Sequence, residues 1–318
     1  MVIGNLFALR PASVSGALQS ARTRLAGVDD GHITASALLG HVLGLTRAQL
    51  LARPDQLLST EQVAAFVALV ARAALGEPLA YLTGGREFYG LEFEVDSQVL
   101  VPRPETELLV DRALAARPVR VLDVGTGSGC IAVTLAVRLP QAAITASDLS
   151  PGALAVARRN AERHGVAERI AFVQSDLLEA FPVSDRPASS RADLAKQDRL
   201  TSHVPDPAKQ DRLTARPLYD LIAANLPYID PVELQTLPVA RFEPRLALDG
   251  GPGGLMLIEQ LLRQAPAVLA PGGRVLLEIG ASQGPAALAL ARAAFPGAVA
   301  SLQRDLAGLD RLLVIETH

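Results

Sequence analysis

The sequence is nearly free of cysteine, and this scarcity excludes two kinds of site. Its single cysteine, Cys130, cannot form a disulfide within the chain and cannot supply a cysteine-rich metal site. We therefore expect no metal centre. A reducing cytoplasm is the simplest location for such a chain.

Basic charge and long apolar runs are also scarce. The formal net charge is -3 and the pI is near 6.0, so the chain lacks the basic field that proteins use to grip a phosphate backbone, and stable nucleic-acid binding is disfavoured. The N-terminus has no basic stretch leading into an apolar run, and no apolar segment approaches the length of a membrane span. We expect a soluble, unprocessed protein without a membrane partner.

What is present suits a two-domain globular protein, because the chain has 318 residues, of which 49% are hydrophobic. Over residues 13–75, apolar residues recur three and four apart, which is typical of short helices. Two starts have the hydroxyl-x-x-Gln pattern of a capping box, Thr46 with Gln49 and Ser59 with Gln62. We predict a small helical domain over residues 1–84.

A connector and an α/β domain follow. Residues 87–101 alternate with a period near two around Asp96-Ser97, which predicts a β-hairpin turning there, within a connector at 85–110. Beyond residue 117, strand-like runs alternate with helical ones such as 151–164 and 255–269. The runs lie at 119–124, 143–147, 170–174, 219–224 and 274–279. Residues 111–318 are therefore predicted to form a mostly parallel sheet with helices on both faces.

Two segments depart from this alternation. The last strand-like runs, 298–303 and 311–315, are joined by a short Asp/Gly loop with no room for a crossover helix, so we expect them to pair antiparallel. Residues 184–216 contain the same seven letters at 195–201 and at 208–214, together with the only lysines of the chain. We interpret this stretch as a duplicated, solvated, low-complexity insertion, with a partner-binding arm as the alternative.

A glycine loop lies at the first strand end of the α/β domain. The run at 121–129, Val-Leu-Asp-Val-Gly-Thr-Gly-Ser-Gly, places glycines where a buried strand ends and a helix begins, so that a ligand can lie against the turn. The third glycine comes one residue too early for the dinucleotide pattern, which disfavours NAD. The spacing resembles motif I of class I methyltransferases, which holds S-adenosylmethionine. The cofactor candidates here are Asp123, Gly125, Thr126, Gly127, Ser128 and Gly129.

The next two strand ends each carry an acid. Asp148 lies about twenty residues beyond the glycines, where a carboxylate can accept both ribose hydroxyls. Asp176 ends the following strand and would accept from an adenine amino group. Either acid alone could equally be a helix cap. Three suitable strand ends on one sheet edge favour the cofactor interpretation, because ligands of open α/β sheets bind at that edge.

The fourth strand ends in Asn225-Leu226-Pro227-Tyr228. This segment is similar to the (Asn/Asp)-Pro-Pro-(Tyr/Phe) signature of methyltransferases that act on planar nitrogens, with leucine in place of the first proline. We predict that the Asn225 side-chain oxygen and the Leu226 carbonyl accept from the two N–H groups of the substrate amide, while Tyr228 packs on its plane. Pro227 keeps residue 226 extended, so the direction of that carbonyl is retained. An Asn/Pro turn with a core tyrosine is the structural alternative.

Three further stretches resemble the bacterial release-factor glutamine methyltransferases, the HemK/PrmC family. They read Glu-Pro-Leu-Ala-Tyr-Leu-Thr-Gly at 77–84, Pro-Arg-Pro-Glu-Thr-Glu at 102–107 and Phe-Glu-Pro-Arg-Leu-Ala-Leu-Asp-Gly-Gly at 242–251. The resemblance covers nearly the whole chain apart from the insertion. It implies a class I methyltransferase Rossmann-like sheet, mostly parallel with an antiparallel last strand, and a small N-terminal helical domain that recognises the substrate.

The resemblance also implies the reaction. The methyl group of S-adenosylmethionine would pass by in-line displacement to the side-chain amide nitrogen (N5) of the glutamine in the Gly-Gly-Gln loop of peptide-chain release factors. By position, the 125–129 loop, Asp148, Asp176 and Leu177 would bind the cofactor, and residues 225–228 the glutamine. Leu177 stands where relatives often have an aromatic residue, so aliphatic packing would replace stacking on adenine. Phe88 and residues 103–107 would line the cleft.

Other activities remain open on the sequence alone. A ribosomal-protein glutamine methyltransferase is the nearest, and an RNA or DNA adenine N6-methyltransferase is next, because Asn-Leu-Pro-Tyr is similar to the motif of ribosomal RNA adenine dimethylases. The acidic pI weighs against the latter. Residues 280–284 satisfy the hydrolase Gly-x-Ser-x-Gly pattern, although the one histidine that follows is the terminal His318. A binding module that holds the cofactor without turnover is the non-enzymatic alternative.

Overall fold

The computed structural model describes residues 13–181 and 218–318. The first described range begins with five helices, α1 (Val14–Arg24), α2 (Gly31–Leu43), α3 (Arg47–Leu51), α4 (Thr60–Ala73) and α5 (Leu79–Thr83). Their apolar faces meet around a core of their own that includes Phe66. Both capping boxes are confirmed: the Gln49 side chain accepts from Thr46 N (2.9 Å), and the Gln62 side chain accepts from Ser59 N (2.9 Å).

A short hairpin connects the helices to the sheet, and its turn is not where the sequence predicted it. Strands β1 (Gly85–Phe88) and β2 (Leu91–Glu94) are joined at Tyr89-Gly90, seven residues before Asp96-Ser97. Tyr89 and Gly90 both have positive φ, 54° and 75°, as the two central residues of a hairpin turn that matches the strand twist require. The predicted turn position is wrong because apolar alternation continues beyond the last paired residue, where it reports burial and not pairing.

The α/β domain contains a seven-stranded sheet. Its strands are β3 (Arg120–Val124), β4 (Ala143–Asp148), β5 (Ile170–Gln174), β6 (Tyr219–Ala224), β7 (Leu269–Glu278), β8 (Val299–Arg304) and β9 (Asp310–Glu316). The spatial order is β5-β4-β3-β6-β7-β9-β8. Strands β3 to β7 run parallel to one another, and β9 runs antiparallel to both β7 and β8. The mostly parallel sheet and the antiparallel tail are thereby confirmed.

Helices cover both faces of the sheet and bury two apolar layers. The covering helices in the described ranges include α6 (Glu107–Ala116), α7 (Cys130–Arg138), α8 (Pro151–Arg163), α10 (Met256–Gln264) and α11 (Gly284–Ala294), and the short helix α9 (Pro231–Leu234) follows β6. Alternate residues of β3 point to opposite layers, so Val121 packs with α6, α7 and α8 while Leu122 packs with α10 and α11. Strand β6 is buried on both faces, which explains its almost continuous apolar run.

The predicted insertion at 184–216 lies outside the described residues. Within the two described ranges, no helix combines the length and apolarity needed to cross a bilayer.

One buried side chain ties the hairpin to the glycine loop. Asn160, on α8, is fully buried. Its Oδ1 accepts from Glu94 N (2.7 Å), and its Nδ2 donates to the carbonyls of Glu94 (2.9 Å) and Ser128 (2.8 Å). The connector and the 125–129 loop are therefore held at a fixed separation through one amide.

We predict that Asn160→Ala lowers the free energy of unfolding by about 2–4 kcal/mol, because it leaves buried backbone groups at Glu94 and Ser128 without partners. Arg163→Ala, an exposed position on the same helix, should change it by less than about 0.5 kcal/mol. Denaturant titrations of both variants measure the difference. Equal midpoints would show that Asn160 does not hold these elements together.

Candidate functional site

A cavity of about 220 Å³ opens at the carboxyl edge of the sheet. It is lined by the segments that follow β3, β4, β5 and β6, and by residues 97–106 of the connector. Parallel strands bring these segments to a single edge, as the sequence predicted. The glycine loop and Asn225 both face this cavity.

The glycine loop forms the floor of the cavity. Gly125, Gly127 and Gly129 have φ values of 71°, 56° and 81°, a conformation that other residues adopt only with strain. Gly129 also lies close to helix α8, because a β-carbon there would be 3.1 Å from that of Ala157. At Gly127 a β-carbon would meet no protein atom within 4 Å. The backbone at this point borders open space in which a ligand fits.

Asp123 lies beneath this loop. Its Oδ2 accepts from Thr126 Oγ1 (2.6 Å) and from Ala132 N (3.2 Å), and its Oδ1 has no hydrogen-bond partner among the described residues. Burial, with a further contribution from the charge of Asp148, raises the pKa of Asp123 to about 7. Within the described chain Asp123 is not among the residues that line the cavity. Asp123 therefore shapes the loop from behind without reaching the cavity.

Asp148 faces the glycine loop instead of capping a helix. Its Oδ2 accepts from Gly127 N (2.9 Å) and its Oδ1 from Ser150 N (2.8 Å). The cap of α8 is Ser150, whose hydroxyl accepts from Ala153 N (3.2 Å). Burial raises the pKa of Asp148, against the effect of these backbone donors. The carboxylate lines the cavity with lone pairs left to accept from a ligand.

Asp176 and Leu177 lie at the rim formed after β5. Asp176 is exposed, whereas Leu177 is buried and has a positive φ of 45°. Both line the cavity. The apolar surface at this position is therefore aliphatic.

Asn225, Leu226 and Pro227 form the wall beside β6, whereas Tyr228 packs against the apolar core and is not among the described residues that line the cavity. Leu226 is buried and packs over Gly125, where a β-carbon would come within 3.1 Å of Leu226 Cδ2. Asn225 Nδ2 donates to Thr106 Oγ1 (3.0 Å), and Tyr228 OH donates to Glu278 Oε1 (3.3 Å). Burial raises the pKa of the Tyr228 phenol, so it stays protonated. Each polar side chain of the segment is thus held by a partner distant in sequence.

The backbone of this segment is anchored by Gln283. The Gln283 side chain accepts from Gly280 N (2.8 Å) and donates to the carbonyls of Tyr228 (2.9 Å) and Gly253 (3.2 Å). This buried glutamine belongs to the Gly-x-Ser-x-Gly stretch, whereas Ser282 is exposed. The stretch acts as a loop that starts α11 and holds the 225–228 segment.

Arg103 and Thr106 of the connector line the cavity, as predicted within residues 103–107, and the structure adds the partners that hold them. Arg103 forms an ion pair with the buried Glu243, its Nη2 lying 2.7 and 2.8 Å from the two carboxylate oxygens. Thr106 is 1% exposed and lines the cavity. The prediction that Phe88 lines the cleft is wrong, because Phe88 is buried in the core, where it packs edge-on against Phe93. Residue type alone does not distinguish a cleft aromatic from a core aromatic.

Comparison with known proteins covers both domains. Residues 16–84 match the family model "PrmC N-terminal domain", and residues 121–213 match "Methyltransferase domain". Three relatives are named release factor glutamine methyltransferase. That of Nitratidesulfovibrio vulgaris is 38% identical over 95% of this chain and 94% of its own, and that of Bordetella pertussis is 42% identical over 88% and 93%. That of Chlorobaculum tepidum is 41% identical over 76% of each chain.

We predict that Gly127→Ala weakens binding of S-adenosylmethionine about ten-fold or more, because the added methyl group enters the open space beside the loop. Gly165→Ala is the matched control, since Gly165 has a similar φ of 68°, also meets no atom within 4 Å and lies away from the cavity. Both variants should lose about 1 kcal/mol of stability from backbone strain. Calorimetric titration with the cofactor separates the two. Equal cofactor affinities of the two variants would show that the glycine loop is not part of the cofactor-binding site.

Proposed function

Since the chain belongs to the release factor glutamine methyltransferase family, we propose that it transfers a methyl group from S-adenosylmethionine to the side-chain amide nitrogen of the glutamine in the Gly-Gly-Gln loop of peptide-chain release factors. The observation that carries the proposal is the shared cavity: a glycine loop with open space beside Gly127 and an oriented Asn225 amide line the same space.

The cofactor half of the cavity fits the charge and shape of S-adenosylmethionine, which supplies a methyl group on a positively charged sulfur when bound. Gly125, Thr126, Gly127 and Ser128 line it from below, and Gly129 sets the loop against α8. Asp148 would accept from the ribose hydroxyls, and Asp176 and Leu177 would bind the adenine. The carboxylate of Asp148, which lines the cavity, makes this region favourable for a cation.

The acceptor half addresses the chemical difficulty of the reaction. An amide nitrogen is a weak nucleophile because its lone pair is delocalised into the carbonyl. Asn225 Oδ1 and the Leu226 carbonyl would accept from the two N–H groups and fix the nitrogen for in-line attack, and the Tyr228 ring would exclude water. Pro227 restricts the geometry of residue 226, so leucine in place of proline keeps the carbonyl that the reaction uses. Positioning would supply most of the catalysis. The carbon–sulfur bond would break as the carbon–nitrogen bond forms, S-adenosylhomocysteine would leave, and the methylated nitrogen would lose one proton to solvent.

The proposed substrate also implies which proteins this chain binds and in which compartment it acts. Release factors are the protein partners, and the cytoplasm is the compartment in which the chain would meet them. The net charge of -3 supports a protein substrate over stable nucleic-acid binding. Recognition of the rest of the release factor falls to the N-terminal helices in this proposal.

We predict that Asn225→Ala lowers kcat for methylation of a release factor about 100-fold or more, since a directional acceptor at the reacting nitrogen is lost. Affinity for S-adenosylmethionine should change by less than about three-fold, because the donor side of the cavity is intact. Gln235→Ala is the control, since it removes an exposed amide ten positions further along. Transfer of a labelled methyl group gives kcat, and calorimetry gives the affinity.

The same assay tests the substrate. A release factor in which the Gly-Gly-Gln glutamine is replaced by alanine should accept no label, and neither ribosomal RNA nor ribosomal proteins should accept it. Label in RNA or in a ribosomal protein, with none in the release factor, would contradict the proposal. Full turnover by Asn225→Ala would refute the assignment of that residue alone.

A further inference from the structure

The Asn225 amide belongs to a chain of three hydrogen bonds that crosses the site. Asn225 Nδ2 donates to Thr106 Oγ1 (3.0 Å), Thr106 Oγ1 donates to Glu278 Oε2 (2.6 Å), and Tyr228 OH donates to Glu278 Oε1 (3.3 Å). We infer that Thr106 is a positioning residue for methyl transfer, which makes the side-chain oxygen of Asn225, and not its NH₂ group, face the substrate. The inference rests on the proposed function and extends it to the connector.

Orientation matters because the two ends of an asparagine amide have nearly the same shape and opposite hydrogen-bonding character. The proposed reaction requires an acceptor at the substrate NH₂ group. If the Asn225 amide were rotated by half a turn, its own NH₂ group would meet that of the glutamine, and neither could accept. Something in the site has to distinguish the two orientations.

Thr106 does so through its single proton. An ionised carboxylate only accepts hydrogen bonds, and an O–O distance of 2.6 Å is typical of a hydroxyl bonded to a charged oxygen. The Thr106 proton is therefore committed to Glu278, and only lone pairs of the hydroxyl remain for Asn225. A lone pair can bind the NH₂ group of Asn225 but not its oxygen, so the oxygen is left to the cavity that Asn225 lines.

Burial makes this selection strong. Thr106 is 1% exposed and Glu278 is 2% exposed, so water does not offer Asn225 an alternative partner at this point. Burial raises the pKa of Glu278, while the bonds from Thr106 and Tyr228 and the charge of Arg311 favour its ionised form. Glu105 is the other acid whose charge acts on it. A rotated Asn225 would place two oxygens together in a dry site, which is strongly unfavourable.

The test uses two substitutions at residue 106 and two release factors. Thr106→Val keeps the shape of the side chain and removes the hydroxyl, whereas Thr106→Ser keeps the hydroxyl. The release factors carry either Gly-Gly-Gln or Gly-Gly-Glu in the loop. In the second, a carboxylate oxygen replaces the NH₂ group, so it is repelled by the Asn225 oxygen and attracted by a rotated Asn225 NH₂ group. Their other contacts are the same and cancel in the comparison.

Binding of both release factors is measured with S-adenosylhomocysteine present, and kcat is measured with Gly-Gly-Gln. We expect Thr106→Val to lower kcat about ten-fold or more, and to reduce the preference for Gly-Gly-Gln over Gly-Gly-Glu about five-fold or more. Thr106→Ser should stay within about three-fold of the unsubstituted chain in both. Cofactor affinity and the thermal midpoint of each variant establish that it is folded.

Unchanged preference between the two loops in folded Thr106→Val would overturn the inference, even if kcat fell, because a merely structural role weakens both complexes alike. The same holds if Thr106→Ser behaves like Thr106→Val. Failure of the proposed function looks different, since the unsubstituted chain would then not methylate the Gly-Gly-Gln release factor at all.

Discussion

The site depends on the pairing of β3 with β6. The two strands are parallel neighbours in register, with Val124 opposite Ala224, so the glycine loop and the 225–228 segment leave the sheet side by side. A β-carbon at Gly125 would lie 4.0 Å from the Asn225 carbonyl. A donor bound on one segment and an acceptor bound on the other are adjacent for this reason. The buried core on both faces holds the register, because a shift by one residue would exchange the two apolar layers.

Buried acids are the second constraint on the cavity. Asp148 lines it, Asp123 lies behind the glycine loop and Glu278 lies behind Thr106, and burial raises the pKa of each. Each carboxylate is kept in place by donors, but Asp123 retains an oxygen with no partner among the described residues. The charge of Arg311 acts on Glu278, whereas Asp148 is bound by backbone N–H groups alone. A cationic cofactor would therefore place its positive charge beside an acid that has no ion-pair partner among the described residues.

What could be predicted from the sequence is what local residues determine. The capping boxes at Thr46 and Ser59 need only residues three apart. The ends of β3, β4 and β6 can be recognised because glycine, an acid or asparagine comes at the end of an apolar run. The hairpin turn was misplaced because the apolar alternation continued past the paired residues. The sequence does not decide whether Asp148 is a helix cap or a ligand, and the structure shows that Ser150 is the cap.

The residues that hold the site segments in place through hydrogen bonds could not be predicted from local sequence patterns. Thr106, Gln283 and Asn160 act through partners from 30 to 172 residues away, and no spacing in the chain reveals such pairs. Thr106 lies within the Pro-Arg-Pro-Glu-Thr-Glu run that identifies the family, yet the run does not say which side chain it contacts. The motifs therefore predict which residue types could carry out the chemistry, whereas the contacts that orient those residues are found only in the tertiary structure.

The most direct measurement of the central claim is a crystal structure of the chain with S-adenosylhomocysteine and a release factor bound. We expect the glutamine amide nitrogen to lie about 3 Å from both Asn225 Oδ1 and the Leu226 carbonyl oxygen, with the cofactor sulfur on the glycine-loop side of the same cavity. A glutamine bound elsewhere, or an Asn225 that presents its NH₂ group to it, would refute this arrangement.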